Sequence, residues 1–159
     1  LRLQISAGAQ ALQIFDTWGG FLSLPDYERY ALPFLQDIFQ DLKPLGVPLI
    51  LYIHQGSHLL PAYLKSGADV ASLDWRVSLR EARSFFQDQL MLQGNLNPLL
   101  LFGSLKEVRA HTKALLDSVR HPQEGGYQGF IFNLGHGILP KTPLEAVLEM
   151  LSIIHEEAS

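Results

Sequence analysis

Five short apolar runs punctuate the chain: Ala11 to Phe15, Leu49 to Ile53, Val70 to Leu73, Leu90 to Leu92 and Gly129 to Phe132. They end in the polar or glycine-bearing clusters FDTWGG, HQGSH, DWR, QGNLNP and NLGHG, respectively. Runs of this length between turn formers predict β-strands. The segments between them carry helical periodicity. Tyr27, Tyr30, Ala31, Phe34, Leu35, Ile38 and Leu42 recur at three and four residues and predict one buried face, with Pro33 kinking or restarting the helix. Ser78 with Glu81, Ser104 with Glu107, and Thr142 with Glu145 each set a hydroxyl three residues before a carboxylate, which satisfies the orphan amides of a helix start. Pro143 is expected at the first helical position and Gly67 as a left-handed stop.

Strand and helix alternate throughout, so a parallel α/β sheet is expected, with runs apolar on both faces because helices cover it. An open doubly wound sheet gathers its function at one crevice, whereas a barrel can set polar residues at the carboxyl end of every strand. All five strand ends here are polar or glycine-rich, and neither GxGxxG nor GxxxxGK[ST] occurs. The barrel is favoured. A complete (β/α)8 TIM barrel uses about 250 residues, roughly 31 per unit, so this chain holds about five βα units of a partial barrel. Residues 1–159 then form the C-terminal part of a single barrel domain, with both sheet edges unpaired and an apolar interior partly open. We expect further sequence before Leu1. The only long polar loop runs from His121 to Gly126.

Composition narrows the partners. Twelve Lys+Arg against 16 Asp+Glu leave a net charge of −4, which offers polyanions no basic surface and argues against a nucleic-acid partner. The mean hydropathy of +0.10 is high, yet no apolar run approaches the roughly 18 residues of a spanning helix, so no membrane partner is expected. The absence of cysteine rules out disulfides, thiolate zinc sites and thiol nucleophiles within this chain, and suits a reducing cytoplasm.

The candidate chemistry sits in the strand-end clusters. His136, between Gly135 and Gly137, can bond a ligand carboxylate or move a proton where glycines allow close approach; it can equally bond a local carbonyl. Thr17 can present a hydroxyl and Phe15 an aromatic wall. Asp16 is expected to cap its turn, and Asp74 to pair with Arg76 or bond backbone. The amides of Gln93, Asn95 and Asn97 are expected to satisfy loop backbone. His54 and His58 lie four apart without the HExxH context of a helical metal site, so no metal is expected there. His111, His121 and His155 are expected in solvated positions.

Taken in order, LQIFDTWGG, LILYIHQG, DVASLDWR, LQGNLNP and FNLGHGILPKTP closely resemble the C-terminal half of the uroporphyrinogen decarboxylase family, over Gln4 to His155. QGNLNP and NLGHG together carry the resemblance. It implies the fourth to eighth strands of a (β/α)8 barrel, a homodimer when full length, and a cytoplasmic role in haem biosynthesis. The implied reaction converts the four acetate side chains of uroporphyrinogen III to methyls, giving coproporphyrinogen III, without metal or organic cofactor. By the same resemblance His136 and Thr17 bind substrate and Phe15 forms part of the cavity wall. The family's arginine motif, catalytic aspartate and tyrosine after the first three strands have no counterpart in this segment. No catalytic residue is therefore assigned here, and the bare chain is expected to be inactive. Asp16 and Asp74 match other family positions and do not replace that aspartate.

Two other readings remain open. Cobalamin-linked methyltransferases of the same superfamily hold zinc with a histidine and cysteines, but this chain has no cysteine, and His136 stands where such enzymes tend to carry one. A non-catalytic fragment could instead dock through the open barrel edge, which would also favour self-association.

Overall fold

The computed structural model describes residues 1–120, 127 and 129–158, so the His121 to Gly126 loop lies outside the described residues. Five strands, β1 (Leu12–Asp16), β2 (Leu49–Ile53), β3 (Val70–Ser72), β4 (Met91–Leu96) and β5 (Phe130–Leu134), pair in parallel in the order β1-β2-β3-β4-β5. A doubly wound sheet would reverse its strand order partway; this sheet does not, in keeping with five consecutive units of a barrel. Among the described residues, β1 and β5 each have a strand neighbour on one side only.

In a parallel ladder, partnered residues face the same side, and alternate positions separate the two faces. Leu12, Leu49, Leu51, Ile53, Ala71 and Leu92 point to one face and join the main core, where the helices pack on them. Those helices are α2 (Leu24–Tyr30), α3 (Leu32–Leu42), α4 (Leu60–Ser66) and α5 (Leu79–Phe86), with the short α1 (Arg2–Ser6) ahead of β1. A second cluster of Leu96, Leu101, Val108, Ala146 and Met150 seats α6 (Leu105–Val119) and α7 (Leu144–Ala158) near the end of β4. The other, concave face differs from the expectation of apolar residues on both sides. Ile50 and Val70 are buried there, but Gln13, Tyr52, Ser72 and Gln93 make the same face polar, with Gln93 bonded to Gln13 and Ser72. Phe15, Met91 and Ile131 remain exposed, as an incompletely closed interior requires.

Several local expectations need correction. β4 continues to Leu96 rather than ending at Leu92, because its polar side chains find partners without leaving the sheet. Gln93 Nε2 donates to Gln13 Oε1 and Ser72 Oγ, both at 2.9 Å, and Asn95 Nδ2 donates to the carbonyls of Asp74 and Val77. Of the three amides, Gln93 thus bonds side chains, whereas Asn95 and Asn97 satisfy backbone as expected. The helical stripe is divided: α2 ends before Ala31 and α3 restarts with Pro33 in its first turn. Its buried face is Tyr27, Leu32, Leu35, Phe39 and Leu42, while Tyr30, Phe34 and Ile38 are exposed. Ser104 and Glu107 form the expected reciprocal cap, but Ser78 makes no side-chain cap bond. α7 begins at Leu144, after Pro143, and Thr142 Oγ1 accepts from Leu139 N instead. Gly67 does end α4, at φ 89°.

Tyr63 on α4 ties helix to sheet. Its buried hydroxyl donates to Ser72 O at 3.1 Å and accepts from Ile53 N at 3.0 Å. Tyr63→Phe would leave that amide without a partner and is expected to cost about 1–3 kcal/mol in urea unfolding. Thr112 Oγ1, in contrast, is buried with no partner among the described residues. Thr112→Val should raise stability by about 1 kcal/mol in the same measurement.

Candidate functional site

The strand ends converge on a cavity of 490 Å³ lined by Gln13, Phe15, Thr17, Tyr52, His54, Ser72, Asn133, Leu134, His136 and Gly137. All three residues singled out for substrate contact, Phe15, Thr17 and His136, line it together. Phe15, the last concave-facing residue of β1, packs edge-on to Tyr52 of β2 with ring centroids 5.8 Å apart. Thr17 follows β1 at the mouth.

The turn after β1 is held by Asp16. Its Oδ1 accepts from Gly19 N at 2.7 Å and Trp18 N at 3.3 Å, and its Oδ2 accepts from the buried Tyr27 hydroxyl at 2.9 Å. This carboxylate caps a turn and anchors α2, and it does not line the cavity. Asp74 behaves alike. Its buried side chain accepts from Arg76 N and Arg76 Nη1, and the guanidinium lies 4.5 Å over the Trp75 ring.

His136 follows β5, and its Nδ1 donates to Gly137 O at 3.3 Å, since a carbonyl can only accept. This is the local bond foreseen as the plain alternative, yet the ring still lines the cavity. Gly135 serves a different end from the expected ligand approach: a Cβ there would lie 2.7 Å from Trp75 N, so only glycine lets the two loops pack. The Gly135 carbonyl accepts from the Tyr52 hydroxyl at 3.0 Å, joining the end of β2 to the loop after β5.

Tyr52 is a site residue that the strand-and-turn reading does not single out, and His54 is one that it weighs only as a metal ligand. The pair His54 and His58 does not share a helix or a site. His58 bonds Leu22 O and stays outside the cavity, whereas His54 enters it from the end of β2. The alternation of β2 carries the missed signal, because Tyr52 and His54 have the parity of the concave face. Gln13, Ser72 and Asn133 were likewise not singled out. His111 and His155 are exposed on α6 and α7, and His121 lies outside the described residues. Among the described residues, no three His, Cys, Asp or Glu side chains gather as a metal ligand set.

A family model described as "Uroporphyrinogen decarboxylase (URO-D)" matches residues 1–157. The chain belongs to the uroporphyrinogen decarboxylase family. It is 42% identical over 155 residues to the uroporphyrinogen decarboxylase of Geobacter sulfurreducens, covering 98% of this chain and 44% of that protein. It is 43% identical, with the same coverage, to that of Citrifermentans bemidjiense. The chain therefore spans less than half the length of these curated family members. A methyltransferase from Methanosarcina mazei shares the fold, with a TM-score of 0.78 at 21% identity over 96% of this chain and 43% of its own. At that identity the likeness concerns backbone architecture alone. No helix of the described residues is long and apolar enough to cross a membrane.

Three tyrosines, Tyr52 in the cavity lining and the buried Tyr27 and Tyr63, are shifted upward. Burial, with the charge of Asp74, pushes the Tyr52 hydroxyl up to about 12, against the opposing pull of Arg76. Burial raises Tyr63, and burial with the adjacent Asp16 raises Tyr27. Unfolded tyrosine ionises near pH 10, so all three groups favour the folded state fully below about pH 10; the contribution of Tyr52 is lost as the pH rises through about 12, and those of Tyr27 and Tyr63, raised further, are lost at still higher pH. Tyrosinate absorbance from these side chains is expected to rise together with the loss of helical circular dichroism, not ahead of it.

Proposed function

We propose that this chain is the substrate-binding C-terminal part of a uroporphyrinogen decarboxylase, which converts the four acetates of uroporphyrinogen III to methyls in haem biosynthesis. The observation that carries the reading is the shared cavity of Phe15, Thr17 and His136 at the carboxyl ends of the strands. An acidic tetrapyrrole needs hydrogen-bond donors for its carboxylates and a flat apolar wall for its rings. Here His136 and Thr17 supply donors, and Phe15, 67% exposed, supplies the wall.

Loss of carbon dioxide from a pyrrole acetate requires an electron sink. Protonating the ring carbon beside the substituent provides one: the carbon–carbon bonding pair flows into the cationic ring as carbon dioxide leaves, the exocyclic methylene so formed takes up a proton to become the methyl, and the ring carbon then gives back the proton it first received. A carboxylate beside the ring stabilises that cation. Asp16 and Asp74 are both committed to turns and lie off the cavity lining, so neither takes this part. The family resemblance assigns it to an aspartate after the second barrel strand, outside these five units. The complete enzyme works as a cytoplasmic homodimer, and the 159-residue chain alone is inactive.

The test joins this chain to the upstream half of the Geobacter sulfurreducens enzyme and follows coproporphyrinogen formation. The fusion is expected to turn over uroporphyrinogen, and the chain alone is not. In the fusion, His136→Ala should lower kcat/KM by about 10- to 100-fold, the value of one charge-assisted hydrogen bond of about 1.5–3 kcal/mol. Thr17→Val should lower it less, and Thr17→Ser should retain activity. Turnover by the chain alone, or full activity of the His136→Ala fusion, would overturn the assignment.

A further inference from the structure

Among the described residues, the cavity lining contains no lysine, arginine, aspartate or glutamate. Within it, only His54 and His136 can carry a positive charge. Their rings meet edge to face, with centroids 5.3 Å apart and planes at 62°. The bonding around them decides which nitrogens face a ligand. Tyr52 has one hydroxyl hydrogen, and it goes to Gly135 O, because a carbonyl only accepts. At 3.2 Å from His54 Nδ1 the same oxygen must therefore accept, which places the hydrogen of His54 on Nδ1. His136 likewise commits Nδ1–H to Gly137 O. On both rings the nitrogen left for a ligand is Nε2, with no protein partner for either among the described residues.

We infer that His54 is a second anion-binding residue of this site, acting beside His136 so that one ligand carboxylate takes an Nε2–H from each imidazolium. The inference rests on the tetrapyrrole reading above, which supplies a ligand rich in carboxylates. Tyr52 is the positioning residue: by bridging Gly135 O and His54 Nδ1 it holds the two loops together and fixes which edge of the His54 ring is left open. The other charged groups nearby are already occupied, Asp74 by Arg76, and Asp16 by Tyr27 and the amides of its turn.

Binding of uroporphyrin, the stable oxidised octacarboxylate, to the 159-residue chain tests this, read by quenching of Trp18 and Trp75 fluorescence. Two substitutions separate a ligand contact from a structural one, because glutamine keeps a donor near the ε position and asparagine keeps one near the δ position. Affinity is expected to fall in the order wild type, His54→Gln, His54→Asn, with the asparagine variant weaker than wild type by about tenfold or more. Tyr52→Phe should weaken binding less than His54→Asn. If His54 serves only to support Tyr52, the order inverts, and asparagine outperforms glutamine. That inversion, or wild-type affinity in both variants, overturns the inference and leaves the tetrapyrrole reading standing. Failure of the wild-type chain to bind uroporphyrin overturns the tetrapyrrole reading and the inference with it. Should a variant misfold, nitrogen–proton correlation spectra of the wild-type imidazoles decide: uroporphyrin must shift His54 Nε2 while Nδ1 stays bonded, and an unmoved Nε2 refutes the contact.

Discussion

Parallel register is the constraint from which the rest of this molecule follows. Because partnered residues in a parallel ladder face the same way, one parity of positions along all five strands forms a single surface, and the opposite parity forms another. Leu12, Leu49, Leu51, Ala71 and Leu92 share one parity and seat the helices. Gln13, Tyr52 and Ser72 share the other and line the floor of the cavity, with Gln93 of the same parity bonded to Gln13 and Ser72. A slip of one residue in any strand would exchange the two sets, burying amides under the helices and exposing leucines to the ligand.

The floor is polar without being unsatisfied. Gln93 reaches both Ser72 on the adjacent strand and Gln13 on β1, bonding across the concave face. Such a network fixes the strands relative to one another because each amide depends on partners from a different unit. The rim is fixed in the same manner. Tyr52 connects the end of β2 to the loop after β5 through Gly135 O, a contact between residues 83 apart in the chain. The two strand-end carboxylates, Asp16 and Asp74, serve this framework rather than the ligand. Each gathers the donors of its own loop and stays off the cavity lining.

Much of this was legible beforehand where the signal is local. Five apolar runs gave five strands, Ser104 and Glu107 gave a reciprocal cap, and the glycine at position 67 gave a left-handed stop. Phe15, Thr17 and His136 stood out because strand-end residues of a barrel meet at one mouth. The fourth strand was read too short because Gln93, Gly94 and Asn95 carry the composition of a turn, and only partners from three other loops and strands make them acceptable in a sheet. Tyr30, Phe34 and Ile38 fit the periodicity of a buried face, yet the restart at Ala31 rotates that stripe away from the sheet.

The amino-acid sequence by itself determined the alternation of strands and helices, the family and the identity of three cavity residues, since all of these rest on periodicity and on short motifs read within a few neighbouring positions. Tertiary structure alone decided that His54 faces His136 and that Tyr52, its hydroxyl hydrogen held by Gly135 O, sets the hydrogen of the His54 ring. The reason is geometric: these relations join residues from different βα units, and their distances exist only once the sheet has curved and brought the strand ends together.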